Sequence, residues 1–440
     1  RTGIAETITI ASDAGLAPEI THIKAQGHEQ GRAGEIVRMM ERATASGHYT
    51  PSDVYPYLAG KTGLADLLIP AWAQDGGSAA LLGRFRQPGL RARIAAESEA
   101  IMNARLTGGA AGVYFPESRT RLVDLMHAEK AAAGEMVIRL IERAGAAVIP
   151  TVLQFGAEGD LETFIENDTT AIACDCGATT ERPTHPRYSG AFPRVLARYV
   201  RERRLLTLEQ ALYKMTGLPA SIVGIVDRGL LSVGMAADIT VFDPGTIIDH
   251  ATFEEPALAS EGVREVLVNG RSEWHEGRAT GGRGGTALFR ARSMPTRPAS
   301  FGVDRAARAR SAIESRDAPG ASPPAPRQRS GSWRLDLRVR QGRASSHAEG
   351  ALRIEDGSRV VLEMLDFGEL QTSGRWAALS GIARSEGTIG PVTIIIDASD
   401  PALEPARALV SVEGPSGHRE WTLPAKAFIL ESARTGSSRR

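Results

Sequence analysis

The chain has 440 residues, of which 42% are hydrophobic and 24% are charged, so it is long enough for two to three globular domains. Its formal net charge is zero and only 5% of its residues are aromatic, so neither a nucleic-acid-binding surface nor an anionic membrane surface is indicated as a partner. No apolar run is long enough to span a bilayer, so no membrane segment is predicted.

The first half of the chain alternates between strand and helix patterns. Residues 18–25 alternate in polarity as a strand, an amphipathic helix follows at 33–46, and 50–57 form a second strand pattern. Strand, helix and strand with short connections make the βαβ unit of a parallel sheet. Residues 59–165 interrupt this alternation and are predicted to be an insertion or lid, after which the apolar run 169–175 resumes it. The pattern therefore predicts an α/β protein with a parallel sheet.

The chain also divides by composition into four segments. Residues 1–225 carry the α/β pattern, and 226–292 carry short β segments with a hairpin turn at Asn269-Gly270. Pro, Ala, Arg and Ser dominate 293–331, which is typical of a linker. Short alternating segments separated by polar turns fill 332–432 and predict a separate C-terminal β-sandwich.

A single carboxylate stands at the end of the most apolar strand pattern. The run Ala171-Ile172-Ala173-Cys174 leads directly to Asp175, and a loop containing His185 and Arg187 follows. In α/β barrels, strand ends of this kind carry the active-site residues. An aspartate is often only a turn or helix N-cap residue, but the apolar strand and the cationic loop favour a general acid/base or a metal ligand.

Further candidates lie at the ends of the two earlier strand patterns. His22 and Lys24 share one face of the first strand, and a cation beside an imidazole keeps the ring unprotonated and available as a ligand. Tyr55 can donate a hydrogen bond to a substrate, whereas Tyr57 is expected to pack under the insertion. Arg187 suits a substrate carboxylate, because the planar guanidinium matches its two oxygens.

Only two cysteines occur, Cys174 and Cys176, and they flank Asp175. Residues i and i+2 of a strand share a face but cannot easily bond each other across that spacing, so no disulfide is expected. Both thiols are candidate soft metal ligands. Strand alternation puts them on the face opposite Asp175, which favours buried packing instead.

At this point the sequence resembles the D-aminoacylase, or N-acyl-D-amino-acid deacylase, family of the amidohydrolase superfamily. The resemblance covers roughly residues 1–292. It rests on several long motifs: THIKA at 21–25, DVYPY at 53–57, ACDCG at 173–177, HPRYSGAFPRVLARYVRE at 185–202, KMTGLPA at 214–220, RGLLSVGMAADITVFDP at 228–244 and VLVNG at 266–270.

The resemblance implies a fold and a set of roles. Residues 1–225 would be the C-terminal strands of a partial (β/α)8 barrel, and residues 226–292 would be the small β domain that accompanies it. Members use zinc to hydrolyse the amide bond of N-acyl-D-amino acids. His22 resembles the zinc-binding histidine of the sixth barrel strand, and Asp175 resembles the acid of the eighth, which also touches the metal and moves protons. Lys24, Tyr55 and Arg187 resemble the residues that hold the substrate α-carboxylate.

The zinc site implied by the resemblance is incomplete in this sequence. A zinc site takes three or four protein ligands, and this chain supplies only His22 and Asp175. Because the sequence begins at Arg1 within a helix-like segment, we expect the family's remaining ligands to lie upstream. We therefore expect this chain alone to bind zinc weakly and to be inactive or incomplete as an enzyme.

Two alternatives stay open. One is another metal-dependent amidohydrolase, acting on a hydantoin or a D-dipeptide, and the other is a non-catalytic barrel fragment. The expected partner is a small N-acyl amino acid, and a homo-oligomer is compatible with the sequence. A cytoplasmic location is favoured, and a periplasmic or secreted one would require a signal peptide upstream.

Overall fold

The protein is described by a computed structural model that covers residues 1–14, 18–46, 48–177, 182–225, 227–232, 235–288, 304–313, 333–341, 348–356, 359–373, 376–397, 407–414, 417–424 and 428–433. The chain divides into two compact units. Unit 1 comprises Arg1–Met215 and Phe242–Val263, and unit 2 comprises Thr216–Val241 and Arg264–Arg440. No helix in the described part of the chain is both long and apolar enough to cross a membrane.

Unit 1 is a mixed helix and strand unit. Its helices are α1 Thr2–Asp13, α2 Ala33–Ala45, α3 Leu64–Leu68, α4 Ala71–Gln74, α5 Gly77–Phe85, α6 Pro88–Arg105, α7 Leu122–Glu129, α8 Ala133–Arg143, α9 Glu158–Glu166, α10 Arg187–Arg194 and α11 Leu208–Met215, with 3₁₀ turns at Gly27–Glu29 and Gly109–Gly112 and a π-helix at Val195–Glu202. Its strands are β1 Ser52–Val54, β2 Ala59–Gly63, β3 Val113–Phe115, β4 Thr120–Arg121, β5 Pro150–Gln154 and β6 Thr170–Ile172.

Three parallel backbone segments lie side by side in unit 1. β1 pairs with β6 in parallel, with Val54 opposite Ile172, and Ile20 forms a parallel bridge to Ser52. The predicted βαβ order is therefore present. The predicted strands are shorter than expected, because 18–25 reduces to the bridge at Ile20 and β1 stops before Pro56, which has no N–H to donate to a partner strand.

The helices that flank these segments form their own core. Apolar residues from the first segment, α2, α9, β6 and the π-helix pack together; they include Ile23, Ile36, Met40, Phe164, Ile172 and Tyr199. Asp160 of α9 caps the start of α2, accepting hydrogen bonds from the backbone N–H groups of Gly31 at 2.7 Å and Ala33 at 3.0 Å. A buried carboxylate at a helix N-terminus satisfies otherwise unpaired amides and favours the helix dipole. This contact fixes α2 against α9 beneath the strand ends.

The predicted insertion is a small α/β layer within unit 1. β2, β5, β3 and β4 form a sheet in that order, and α3 to α8 bury a separate apolar cluster around Phe85, Ile94, Met102 and Ile138. Gly134 allows the close crossing of α8 over α6, because a Cβ there would lie 1.9 Å from the carbonyl oxygen of Ala95. The insertion thus carries its own core.

Unit 2 is almost entirely β. After α12 Gly217–Val223, a four-stranded sheet forms from β7 Ile239–Phe242, β8 Val263–Val268, β9 Arg271–His275 and β10 Arg278–Ala279, in the order β10-β9-β8-β7. Asn269 and Gly270 turn between β8 and β9 with positive φ angles of 48° and 75°, as the hairpin signal predicts.

The C-terminal block is one continuous antiparallel sheet. Its strands are β11 Asp304–Ile313, β12 Trp333–Gln341, β13 Glu349–Asp356, β14 Arg359–Ser373, β15 Trp376–Ser385, β16 Thr388–Asp397, β17 Arg407–Gly414, β18 Gly417–Pro424 and β19 Phe428–Ala433, in the order β18-β17-β16-β15-β14-β13-β12-β11-β19. An all-β block was predicted here as a β-sandwich, and the all-β character agrees with the nine strands, which are hydrogen-bonded in one order and of which β12 to β17 share a common core. β11 lies within the segment predicted to be a linker, 293–331, most of which is outside the described residues. One face of the sheet buries alternate apolar residues such as Leu335, Leu337 and Val339.

Candidate active site

The ends of the three parallel segments bring the predicted site residues to one edge. Lys24 follows the bridge at Ile20, Tyr55 follows β1, and Asp175 follows β6. Because neighbouring parallel strands end at the same edge of a sheet, side chains just beyond those ends converge. The segment that follows β6 then returns Arg187, the first residue of α10, to the same place.

Asp175 and Arg187 are in direct contact. Nη1 of Arg187 lies 2.7 Å from Oδ2 of Asp175, and the side chains are 6% and 39% exposed respectively. Within the described part of the chain, Nε of Arg187 has no hydrogen-bond partner although it is buried. A guanidinium with an unused buried donor is suited to a further anion.

The ring of Tyr55 contacts both cations of the site. The ring of Tyr55 lies 4.4 Å from Nζ of Lys24 and 4.9 Å from Cζ of Arg187, measured to the ring centroid. Burial raises the pKa of the Tyr55 phenol, and the Arg187 charge opposes only part of that rise, so the hydroxyl keeps its proton near neutral pH. Tyr55 therefore stays available as a hydrogen-bond donor.

Lys24 is held in a largely buried position. Its Nζ donates a hydrogen bond to the carbonyl oxygen of His22 at 2.7 Å and lies 5.3 Å from the ring centroid of Phe155. Burial lowers the pKa of Lys24 to about 7, with Arg187 lowering it further and the carboxylate of Asp175 acting in the opposite direction. The charge on Lys24 therefore depends on pH in the neutral range.

His22 lies in a turn rather than in a strand, contrary to the prediction. It has φ 38°, its side chain is exposed, and its backbone N–H donates to Oδ1 of Asp53 at 2.9 Å. His22 lines the same cleft as Lys24 and Tyr55. Lys24 hydrogen-bonds to the backbone carbonyl of His22. The prediction that this lysine keeps the His22 imidazole unprotonated is therefore not supported by this contact.

A carboxyl pair beneath His22 was missed by sequence reasoning. Asp53 also hydrogen-bonds to the side chain of Glu19, and burial, followed by the charge of Asp53, raises the pKa of Glu19 to about 7. Burial likewise raises the pKa of Asp53. The pair therefore holds a proton near neutral pH. The sequence signal for this pair is the two-residue spacing between Asp53 and Tyr55, which puts the two side chains on one face of an extended segment.

His185 was also given no role from the sequence. It is completely buried, and its ring packs edge-on against the rings of Tyr55, Tyr57 and Phe253 at centroid distances of 6.2, 5.5 and 5.1 Å. Tyr57 is buried in this cluster, in line with the packing role expected for it. In the sequence, His185 lies between Pro183 and Pro186. This context does not indicate whether the imidazole is buried or exposed.

The two cysteines form a disulfide, so the expectation of unbonded, packed thiols was wrong. Cys174 and Cys176 are bonded, with their Cα atoms 5.1 Å apart. The prediction assumed an extended strand through Asp175, in which the Cβ atoms of residues i and i+2 lie about 6.6 Å apart, beyond the roughly 3.5–4.5 Å that a disulfide spans. The strand ends at Ile172 and Asp175 has a left-handed φ of 47°, which brings the flanking residues within disulfide range.

The described residues do not form a complete metal site. Among them, no three His, Cys, Asp or Glu side chains come together in a way that could hold a metal ion. His22 and Asp175 are the two ligands predicted from the sequence, and the disulfide removes both thiols from consideration. A structural or catalytic zinc ion takes at least three protein ligands, so these two residues do not make a zinc site by themselves.

A model of the amidohydrolase family matches residues 46–272, which is more than half of the chain. This chain belongs to the amidohydrolase family. Within it the chain falls in the D-aminoacylase group, as its motifs predicted. It is 32% identical over 293 residues to a D-aminoacylase of Alcaligenes xylosoxydans xylosoxydans, covering 65% of this chain and 51% of that protein. It is 30% identical over 272 residues to an N-acyl-D-glutamate deacylase of the same organism, covering 60% and 47%.

Solved structures agree with this membership. A crystal structure of D-aminoacylase, described as defining a novel subset of amidohydrolases, matches with a TM-score of 0.51 at 29% identity, covering 64% of this chain and 51% of that one. A second D-aminoacylase structure, described as having a binuclear metal centre, matches with a TM-score of 0.50 at 30% identity over the same shares. This amidohydrolase spans about half the length of the relatives it matches, and the α/β fold class is confirmed.

Proposed function

We propose that this chain carries the carboxylate-binding and proton-transfer groups of an enzyme that hydrolyses the amide bond of N-acyl-D-amino acids. The observation that carries the proposal is the cluster of Arg187, Lys24 and Tyr55 beside the single carboxylate Asp175. Membership of the D-aminoacylase group supports the same substrate class.

The cluster suits an α-carboxylate for electrostatic and geometric reasons. Arg187 is buried, and among the described residues its Nε has no hydrogen-bond partner, so an incoming carboxylate would gain a hydrogen bond there. Lys24 adds a second cation against the Tyr55 ring, and the phenol adds a neutral donor. Two cations around one aromatic ring are stabilised by an added anion. A substrate held there by its carboxylate must also present its amide to Asp175, and a third contact with the α-substituent would then select one enantiomer.

In this proposal Asp175 moves the protons. Its carboxylate is partly exposed and touches Arg187 on one side, so its other side is open to a water and to the scissile amide. Asp175 accepts a proton from the attacking water and returns it to the departing amino group. Arg187 therefore ties the position of the substrate carboxylate to the position of the proton-transfer group.

Through the residues that the structure describes, this chain can supply only part of a zinc site. The D-aminoacylase with a binuclear metal centre and the family resemblance support a metal, with His22 and Asp175 as contributors. The described residues bring no third ligand to them. The roles assigned to this chain are therefore binding and proton transfer, and its zinc content is a matter for measurement. This finding also favours a second candidate, a non-catalytic carboxylate-binding module.

Calorimetric binding tests the proposal without requiring turnover. We expect the chain to bind N-acetyl-D-methionine more tightly than N-acetyl-L-methionine and than N-acetyl-D-methioninamide, which lacks the carboxylate. Arg187→Gln should weaken binding of the acid by tenfold or more, since charged hydrogen bonds contribute roughly 1.5–3 kcal/mol. The matched control is Arg93→Gln, because Arg93 is an exposed arginine whose contacts with Glu97 and with the ring of Trp72 both lie within the insertion.

Two outcomes decide between the candidates. Equal affinity for the acid and the amide would show that the cluster does not bind a carboxylate and would end the proposal. Stoichiometric zinc together with release of acetate from the D-acid supports the deacylase. Preferential binding of the acid with neither zinc nor acetate release supports the non-catalytic module. A hydantoin carries no carboxylate, so binding of hydantoins in preference to the acid would support that alternative instead.

A further inference from the structure

His185 is joined to the site through two hydrogen bonds whose donors and acceptors are fixed. The backbone N–H of Arg187 donates to Nδ1 of His185 at 3.1 Å, so Nδ1 must carry a lone pair. Nε2 of His185 lies 3.0 Å from the carbonyl oxygen of Ala59, which can only accept, so Nε2 carries the hydrogen. The two partners together select one neutral tautomer of the imidazole.

The surroundings of His185 keep that tautomer neutral. The ring is fully buried, and burial, followed by the charge of Arg187, lowers its pKa to about 3. Protonation would also turn Nδ1 into a donor facing the N–H of Arg187. The charges of Arg187, Lys61 and Lys24 all lower the pKa of the imidazole. The other titratable groups that contact the ring, Tyr55 and Tyr57, are neutral phenols.

The same contacts hold the turn that leads into α10. Tyr57 donates its hydroxyl hydrogen to the carbonyl oxygen of Pro186 at 3.4 Å, and Ala59 anchors the imidazole from the first residue of β2. His185, Pro186 and Arg187 are thus fixed to the segment that carries Tyr55, four residues before Ala59. The backbone of Arg187 cannot shift without breaking these bonds.

We propose that His185 is a neutral positioning residue, which sets the backbone of Arg187 and the ring of Tyr55 so that both meet the substrate carboxylate. It does not touch substrate itself, because its two ring nitrogens are occupied and its surface is inaccessible. This inference rests on the proposed carboxylate site, and it predicts which of the two imidazole hydrogen bonds matters most for binding.

Two substitutions separate the two hydrogen bonds. In His185→Asn the side-chain oxygen falls near the Nδ1 position and can still accept from Arg187, whereas in His185→Gln the amide falls near Nε2 and can still donate to Ala59. Both remove the ring equally. His28→Asn is the matched control, since the His28 side chain is 83% exposed. The measured quantities are the affinities for N-acetyl-D-methionine and N-acetyl-D-methioninamide.

We expect His185→Gln to weaken binding of the acid on the order of tenfold, the usual effect of one lost hydrogen bond, while His185→Asn stays within about threefold of the wild-type chain. Binding of the amide should be the same in all of them. If wild-type and both variants bind the acid alike while Arg187→Gln does not, His185 has no positioning role. If both variants lose acid and amide binding equally, the ring acts only in packing, which also overturns the proposal.

Failure of the proposed function looks different, because the wild-type chain itself would then fail to prefer the acid over the amide. A measurement on the wild-type chain keeps the inference testable even if both variants misfold. In ¹⁵N-histidine NMR spectra, His185 should remain the neutral Nε2–H tautomer from pH 5 to 8. A ring that titrates within that range, or that carries its hydrogen on Nδ1, would contradict the geometry on which the proposal depends.

Discussion

Replacing Arg187 with methionine should stabilise the fold while removing carboxylate binding. The guanidinium is buried, its Nε is unpartnered within the described residues, and its charge adds to that of Lys24 nearby. A buried donor without a partner costs about 1–3 kcal/mol. Removing one member of a buried ion pair is destabilising when the other stays buried, but the Asp175 side chain that is left behind is 39% exposed and water can solvate it. Methionine fills a similar elongated volume. We expect the free energy of unfolding of unit 1 to rise by about 1–2 kcal/mol.

The partner substitution should have the opposite sign. Asp175→Asn leaves the buried Arg187 cation without its counter-charge, which is destabilising. Because the Asp175 side chain is 39% exposed, water screens part of the loss, so about 1–2 kcal/mol is expected rather than the full cost of breaking a buried pair. The two variants together show whether the ion pair is kept for stability or for binding.

Hydrogen exchange followed by mass spectrometry is the suitable assay, because a chain with two units does not melt in a single two-state step. Peptides covering β6 and α10 report on the site region, and peptides from β12 to β16 in unit 2 serve as an internal control. A drop of more than about 1 kcal/mol in the protection of α10 in Arg187→Met would refute the reasoning. It would mean that Arg187 is a structural ion pair and that the site is not held ready for an anion.

Three further outcomes are expected. Burial lowers the pKa of Lys24 to about 7, so this lysine loses its charge as the pH rises through 7. The affinity for N-acetyl-D-methionine, measured by calorimetry, should therefore fall as the pH rises through 7. Lys24→Met should bind this ligand weakly, and its affinity should not change over the same pH range. The folded-state pKa of Glu19 is raised to about 7, so the stability that it contributes is present below its unfolded value and is lost as the pH rises through 7. Glu19→Gln should remove that slope from hydrogen-exchange stability curves, a difference of roughly 1–2 kcal/mol for a half-buried group. The disulfide of Cys174 and Cys176 predicts no titratable thiol in urea without reductant, and free thiols detected there before reduction would contradict it.

The parts of the fold that could be predicted are those set by local periodicity. The βαβ order, the amphipathic α2 and the apolar strand before Asp175 all show in the sequence, because a buried strand or helix face must repeat apolar residues at its own period. The convergence of Lys24, Tyr55 and Asp175 follows from that order alone, since parallel strands end at a common edge. Their placement here was therefore accessible from sequence, while their roles stay predictions.

What could not be predicted depends on contacts between distant residues. Glu19 meets Asp53, and His185 meets Ala59, across long stretches of chain that no local pattern connects. The strand order of the C-terminal block could not be predicted for the same reason, because alternation shows that strands exist but not which strands pair. The disulfide was missed because the strand was assumed to continue through Asp175.

The conformations of His22 and Asp175 link these observations. Both are non-glycine residues with positive φ, 38° and 47°, a conformation that costs on the order of 1 kcal/mol or more for an ordinary side chain and persists only where the surroundings impose it. The carboxylate of Asp53 accepts from the N–H of His22, while the flanking disulfide and Arg187 hold Asp175. His22 is therefore held by a carboxylate from another segment, and Asp175 is held by the disulfide of its own segment together with Arg187. This arrangement fixes the side chains before any ligand arrives, as expected of a site that must present a carboxylate and a cation at set positions.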